Sequence, residues 1–551
     1  MSKLKFVISL ILITILAFII RVYQVTSSPP APYWEEVALG YDAYSILQTG
    51  KDHHGNSYPL VAFESFGDWK PAGYFYAIIP FIKLLGLNAL AIRLPSVLAG
   101  TLIVVAIGWL VYLLTDHFAE KKRQWLALIS MLLATISPWL IQFSRAGWEV
   151  NLATLLLLLG IVCGWQSVGQ KNNQVKVLAL VGASLFLVAS MYVYHSARVM
   201  APLLGLFFGF RYLIFYLKYG KKPLPTLMIQ LLGLTGLLLT LLWPFIQAWG
   251  SPVLAQRVAE TTIFTDVSII EQSNQFKNLY DNAWWTKLIF HRWWFYLAVI
   301  TEQFLSHLSL SFLFLAGDEI ARHSSQYFGL FYPFEILFLL VGSFLLLKKF
   351  SLEKKLFLIF WLIVGVLPAA ISRPVPHALR ILPIAPAMIF LVTIGLWQTY
   401  QFLTNDFIWV FKKLKQVKKY LLGIVFVSIY LLAFISFYRH LVNVYPQKYG
   451  HEWQVGYQQM VTDLEKIRSE YPDLPVYITR EQGRPAMYYW FYTQTDPNLV
   501  QAANLTAKKD QGEFLEFENI KFVNSLNEVI DTPAITADFV VDQWQVKTLG
   551  L

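Results

Sequence analysis

The sequence has little cysteine, little charge and no visible repetition, and each scarcity narrows the choice. Its one cysteine, Cys163, lies inside an apolar run, so no disulfide can form within the chain and packing is its simpler role. Charged residues make up 14% of the 551 positions, against roughly a quarter in soluble domains. Lys and Arg number 44 against 34 Asp and Glu, yet the basic residues stand in small groups between apolar runs and form no continuous stripe. Nucleic acid is therefore not an expected partner. No repeat of solenoid period, low-complexity run or pair of inverted halves is visible. No small-x-small cleavage site follows the first apolar run, Lys3 to about Gln24, which reads as a signal anchor and not a cleavable peptide.

What is present is apolar. Hydrophobic residues reach 56% and the mean hydropathy is +0.50, so a multi-pass membrane protein is expected. Runs of about 20 residues, long enough to cross a hydrocarbon core, predict eleven spans. After the first they lie near 91–114, 124–143, 149–166, 175–195, 198–217, 225–249, 329–347, 355–372, 379–400 and 419–439. Tyr74 to Leu87 is short and holds Pro80 and Lys83, which predicts an interfacial helix. With that reading the basic groups fall on one face: Lys121, Lys122 and Arg123; Lys171 and Lys176; Lys218, Lys221 and Lys222; Lys348, Lys349, Lys354 and Lys355; and Lys412, Lys413, Lys415, Lys418 and Lys419. The positive-inside bias makes that face cytoplasmic. The opposite, extracytoplasmic face of a plasma or inner membrane then carries loops 25–90 and 250–328 and the tail. The expected division is a membrane domain over 1–440 and a small domain over 441–551. In the tail, Val455, Met460, Leu464, Ile467 and Tyr471 follow helical spacing, while Val476 to Thr479 and Phe539 to Val541 read as strands.

Ionisable residues collect at the outer loops. Glu35 and Glu36 are adjacent just beyond the first span, followed by Asp42. A helix amino terminus explains such acids as well as a site does. Lys70, before Pro71, and Arg93, in Arg93-Leu94-Pro95-Ser96, stand near one membrane surface. Both suit a lipid phosphate, and ordinary snorkelling suits Arg93 equally. Arg145 and Glu149 flank a turn between two spans, where a mutual pair competes with a polar cavity. Trp284, Trp285, Trp293, Trp294, Phe295 and Tyr296 read first as an interfacial belt, and second as a wall for an isoprenoid chain or a sugar. His195, Arg198 and His323 are secondary candidates.

In order and topology these segments resemble the GT-C superfamily, in the branch of protein O-mannosyltransferases and aminoarabinose transferases. The matching pieces are Glu35-Glu36, Lys70-Pro71, Arg93 to Ser96 and Arg145 with Glu149, joined by Phe312 to Asp318 with Arg322-His323 and by Pro376-His377-Ala378-Leu379-Arg380. The resemblance implies an all-α polytopic bundle with a small extracytoplasmic α/β domain. It also implies an inverting glycosyltransferase that takes sugar from a polyprenyl-phosphate donor to a glycan, lipid or protein acceptor. A phosphate is already a good leaving group, so the reaction needs chiefly a base and positive charge. By correspondence Glu35 is the base with Glu36 its alternate, and Glu149 contacts sugar or acceptor. Lys70 with Arg145 or Arg380 holds phosphate, and Arg93, Asp318 and His377 complete the substrate set. The family pair begins with Asp where this chain has Glu35, which leaves open which acid is the base. A divalent cation on Glu35, Glu36 and Glu149 is possible, but the acids lack recognisable metal spacing and no metal is assigned. Competing functions are a lipid-linked oligosaccharide transporter and a non-catalytic relative.

Overall fold

The computed structural model describes residues 2–168, 172–219, 224–251, 262–405, 415–528 and 533–550. Lys171, Lys221, Lys222, Lys412 and Lys413 of the expected basic groups, and 252–261 of the expected second outer loop, lie outside the described residues. The chain forms two compact units. One comprises Met1–Arg21, Leu98–Ser144 and Val150–His440; the other comprises Val22–Val97, Arg145–Glu149 and Leu441–Leu551. The units therefore do not follow a single cut at residue 440, because the first loop packs with the tail.

The first unit is helical, as the long apolar runs require. Among the described residues nine helices are long and apolar enough to cross a membrane, or ten if the bent pair Glu120–Ile136 and Pro138–Ser144 counts as one span. Eleven were expected, and two of the expected spans fall below that test. Glu335–Lys349 has only 15 residues, and Leu352–Ala370 opens with Glu353, Lys354 and Lys355. Thr286–Leu315, assigned by sequence to an outer loop, joins the candidates, with Trp293 and Trp294 exposed on it.

The bend of 58° has a local cause. Pro138 disfavours helical geometry at Ser137, which is extended, and supplies no N–H to Ala134. Arg21, wholly buried, fills the gap by donating to the carbonyls of Ala134 at 3.0 Å and Thr135 at 3.4 Å and to Ser144 Oγ at 3.2 Å.

In the second unit a five-stranded sheet runs in the spatial order Glu516–Phe517, Ile520–Val523, Val476–Thr479, Ala534–Val540, Gln543–Leu549. The central Val476–Thr479 is parallel to both neighbours and buried along its length, and the outer pairings are antiparallel. Helices Tyr457–Glu470 and Pro485–Thr493 flank it in sequence, completing the α/β fold expected of the tail. The first loop docks on this body. Tyr488 donates to the Pro32 carbonyl at 3.1 Å, Tyr41 to that of Thr495 at 2.9 Å, and Gln501 Nε2 to Thr49 Oγ1 at 2.8 Å.

The packing constrains topology, since the first loop and the tail share one body and so lie on one face. The number of crossings between them must be even. Among the described residues, removing the first helix from the ten candidates leaves nine. Either Thr286–Leu315 lies along the surface, or one of the two sub-threshold helices also crosses. Gly73–Leu85, at 13 residues, is too short to span.

Candidate functional site

Tyr33 precedes helix Trp34–Thr49, and Glu36, in its first turn, reaches back to accept the Tyr33 N–H at 3.1 Å. That is a capping interaction, which neutralises an unpaired donor at the helix start. Glu36 does more than cap. Its Oε1 accepts Arg93 Nε and the Gly147 N–H, each at 2.8 Å, and its Oε2 accepts Arg93 Nη2 at 3.0 Å. Arg93, with no exposed surface, spends its remaining donors on the carbonyls of Val25, Pro29 and Ala31 at 2.6–2.8 Å. All five guanidinium N–H groups thus have protein acceptors. Arg145, also buried, donates to the carbonyls of Ser28 at 2.9 Å and Gln24 at 3.0 Å. Two arginines therefore clamp the segment from Gln24 to Ala31, which hands the chain into the helix of Glu35.

Glu35 points elsewhere. Its side chain keeps 33% of its surface exposed, and its Oε1 lies 2.8 Å from Lys70 Nζ. Lys70 ends the second strand of a hairpin, Phe63–Ser65 paired with Asp68–Lys70. The hairpin turns at Phe66 and Gly67, both at positive φ. The turn rests on Gly512: a Cβ there would stand 2.1 Å from the Gly67 nitrogen. Arg484 covers the Phe66 ring at 4.4 Å. The tail thus braces the hairpin that delivers Lys70.

Behind this pair Asp42 is fully buried, and its Oδ1 accepts the His53 backbone N–H at 3.0 Å and meets His53 Nδ1 at 2.7 Å. Burial pushes the Asp42 carboxyl up to about 7, moderated by the His53 N–H and the charges of His54 and Lys70. Burial pushes His53 down to about 4. Both shifts favour the uncharged forms, because burial penalises charge on either group. Glu149 opens helix Glu149–Gln166 and is nearly buried, on the same unit as Glu35.

The remaining candidates, Asp318, His377 and Arg380, belong to the helical unit. Asp318 and His377 meet there together with His323. Arg380 lines a cavity of about 380 Å³ with Arg198, His195, Tyr194 and Ser372, against an apolar wall that includes Phe245 and Trp249. Its Nη1 donates to Ser372 Oγ at 2.9 Å. Sequence reasoning gave His195 and Arg198 only as secondary candidates. The signal was present in the ionisable run Tyr194-His195-Ser196-Ala197-Arg198 at a span boundary, but nothing in it names Ser372 and Arg380 as neighbours.

No protein-family model matches the chain, and no curated protein matches it. Solved structures do. ArnT from Cupriavidus metallidurans bound to undecaprenyl phosphate superposes with a TM-score of 0.51 at 13% identity, over 97% of this chain and 93% of that one. The same protein in the apo state gives 0.52 at 12% identity, over 98% and 93%. The archaeal oligosaccharyltransferase AglB from Archaeoglobus fulgidus reaches 0.47 at 12% identity, over 89% of this chain and 64% of that one, too remote to carry an argument. The chain shares its fold over nearly its whole length with ArnT.

Proposed function

We propose that this protein is a membrane glycosyltransferase that moves a sugar from a polyprenyl-phosphate donor to an acceptor hydroxyl on the extracytoplasmic face, with inversion. The observation that carries the reading is the Glu35–Lys70 pair, a carboxylate with open surface against an ammonium, set in a unit whose other acid of the pair is saturated. The fold likeness to a protein crystallised with undecaprenyl phosphate supports the donor class.

In this reading Glu35 is the base and Glu36 holds its helix in place. In the resting pair the Glu35 carboxylate is occupied by Lys70. A donor phosphate that takes the ammonium frees the carboxylate, which then accepts the proton of the acceptor hydroxyl as its oxygen attacks the anomeric carbon. The bond from that carbon to phosphate oxygen breaks, and polyprenyl phosphate leaves with the electron pair. Arg380, which lines an apolar-walled cavity of the helical unit, has the donor geometry for two-point binding of a phosphate there. Glu149 is the proposed contact to sugar or acceptor. Arg93 and Arg145, committed to backbone carbonyls, act by fixing the segment before Glu35.

Purified protein in detergent, given a panel of polyprenyl-phosphate sugars and acceptors, should release polyprenyl phosphate with one donor. Protein that binds polyprenyl phosphate yet turns over no donor in the panel would refute the assignment.

A further inference from the structure

Within the helical unit, the loop from Gly317 to Gln326 and the segment from Pro376 to Ala378 converge on Asp318. Its Oδ1 accepts the Ile320 N–H at 2.9 Å and its Oδ2 accepts the Ala378 N–H at 2.7 Å. Gln326 Nε2 and Ser324 Oγ donate to the Asp318 carbonyl, closing the loop around it. The carboxylate is therefore oriented before anything else approaches it, as ligating carboxylates are by their outer partners.

Two imidazoles face the same oxygen. His323 Nδ1 lies 3.4 Å and His377 Nδ1 4.0 Å from Asp318 Oδ2, and the rings are 4.5 Å apart by centroid. All three side chains are buried, and one ligand atom from each falls within 4.8 Å of the others. The separations are longer than those of good N–H···O hydrogen bonds, about 2.7–3.2 Å. They approach the edge of a tetrahedron built on bonds of about 2.0–2.1 Å, which is roughly 3.4 Å. Of the three edges, that from Asp318 to His323 fits as it stands, that from Asp318 to His377 is longer at 4.0 Å, and that between the imidazoles lies within 4.8 Å. His323 is backed by Phe143, stacked at 6.2 Å.

We propose that Asp318, His323 and His377 bind one divalent transition-metal ion, zinc by chemical preference, which pins the two segments together three residues before Arg380. Two imidazole nitrogens and one carboxylate suit zinc and its first-row neighbours; magnesium and calcium take oxygen ligands. Three protein ligands leave the fourth position to water. The acids Glu35, Glu36 and Glu149 belong to the other unit and supply none of these three ligands. Metal binding here does not depend on the proposed sugar transfer.

The test uses full-length protein in detergent, purified without a polyhistidine tag, dialysed against chelator and then given zinc chloride. Zinc per chain is measured by mass spectrometry after desalting, and the thermal midpoint with and without zinc. The expected result is one zinc per chain and a midpoint raised by zinc. His323→Gln and His377→Gln, each separately, should weaken binding by more than the roughly 10–100-fold that loss of an outer-shell partner costs, and should abolish the midpoint shift. Well under one zinc per chain in folded wild-type protein, or a variant that binds as tightly as wild type, overturns the site. If both variants fail to fold, cobalt added to the wild type decides: an intense tetrahedral visible spectrum supports the site, and a weak octahedral one refutes it.

Discussion

Glu36 and Arg93 meet at two points, Oε1 with Nε at 2.8 Å and Oε2 with Nη2 at 3.0 Å, and each is at most 2% exposed. Five backbone groups also depend on them: the N–H groups of Tyr33 and Gly147 and the carbonyls of Val25, Pro29 and Ala31. Breaking a buried pair by removing one charge costs about 3–5 kcal/mol. Glu36→Gln and Arg93→Met should each lower the thermal midpoint and the yield of folded protein. An isolated ion pair is often replaced by apolar residues without loss. Here the double variant Glu36→Leu/Arg93→Met should be no better than the singles, because it orphans all five backbone groups. A rescued midpoint in the double variant would mean that the network contributes little beyond the pair.

Glu35→Gln keeps shape and hydrogen bonding but cannot accept a proton. Turnover should fall by about a hundred- to ten-thousand-fold, the usual cost of losing a general base, with donor binding largely kept. Lys70→Ala should weaken donor binding and turnover together, because the phosphate is charged both before and during reaction. Binding of polyprenyl phosphate and steady-state transfer separate the two phenotypes. Normal turnover by both variants at normal yield would remove this loop from the chemistry.

The residues that sequence could place were those with local signals. The Glu35-Glu36 doublet was legible both as a helix start and as a site; Glu36 caps the helix, while Glu35 remains partly exposed against Lys70. What sequence could not give was partnership across distance. Arg93 reads alike as a phosphate ligand or a snorkelling residue, and its clamping of the backbone was not legible because the carbonyls it holds lie more than 60 positions away. The bracing of the Lys70 hairpin by Gly512 has no local signature, since a glycine required by close approach looks like any turn glycine. Span counting is least decided where length and charge are marginal, at Glu335–Lys349 and Leu352–Ala370.

Gly512 sits at φ +76°, and an added methyl would meet the Gly67 nitrogen at 2.1 Å and the Phe66 carbonyl carbon at 2.6 Å. Both contacts are backbone, so the hairpin tip must move. Gly512→Ala should raise KM for the donor by displacing Lys70, and should destabilise the fold by more than the about 1–3 kcal/mol of left-handed strain alone. Gly55→Ala is the control: φ is +90° there too, but nothing lies within 4 Å. It should show strain and no change in KM.

The Asp42–His53 pair predicts a flat pH response that single substitutions would tilt. Asp42 is raised from 3.8 to about 7, so its contribution is present below pH 3.8 and is lost as pH rises through 7. His53 is lowered from 6.5 to about 4, so its contribution is present above pH 6.5 and is lost as pH falls through 4. Between about pH 4 and 6.5 the two slopes oppose, because folded and unfolded chains bind the same number of protons at this pair. Asp42→Asn leaves the His53 slope, so stability relative to wild type should fall as pH drops from 6.5 to 4. His53→Gln leaves the Asp42 slope, and relative stability should rise as pH drops from 7 to 4. Midpoints measured across pH 4–7 in one detergent check the signs. Parallel profiles for all three proteins would show that the pair does not titrate differently on folding.

Parity supplies the last prediction, because the first loop and the tail pack into one unit while nine apolar candidates lie between them. Single cysteines at Ser57 and Leu505, both exposed, should react with an impermeant thiol reagent on the same side of the membrane, in a background lacking Cys163. Lys121→Cys, in a basic group between two spans, should react only from the other side. Glu319, which follows the ambiguous stretch Thr286–Leu315, then decides its course. If that stretch lies along the surface, Glu319→Cys labels with Ser57→Cys; if it crosses, Glu319→Cys labels with Lys121→Cys, and only one of Glu335–Lys349 and Leu352–Ala370 crosses after it. Opposite-side labelling of Ser57→Cys and Leu505→Cys would contradict the packing of loop against tail. Labelling of both from the cytoplasmic side alone would keep the packing and reverse the proposed orientation of the whole protein.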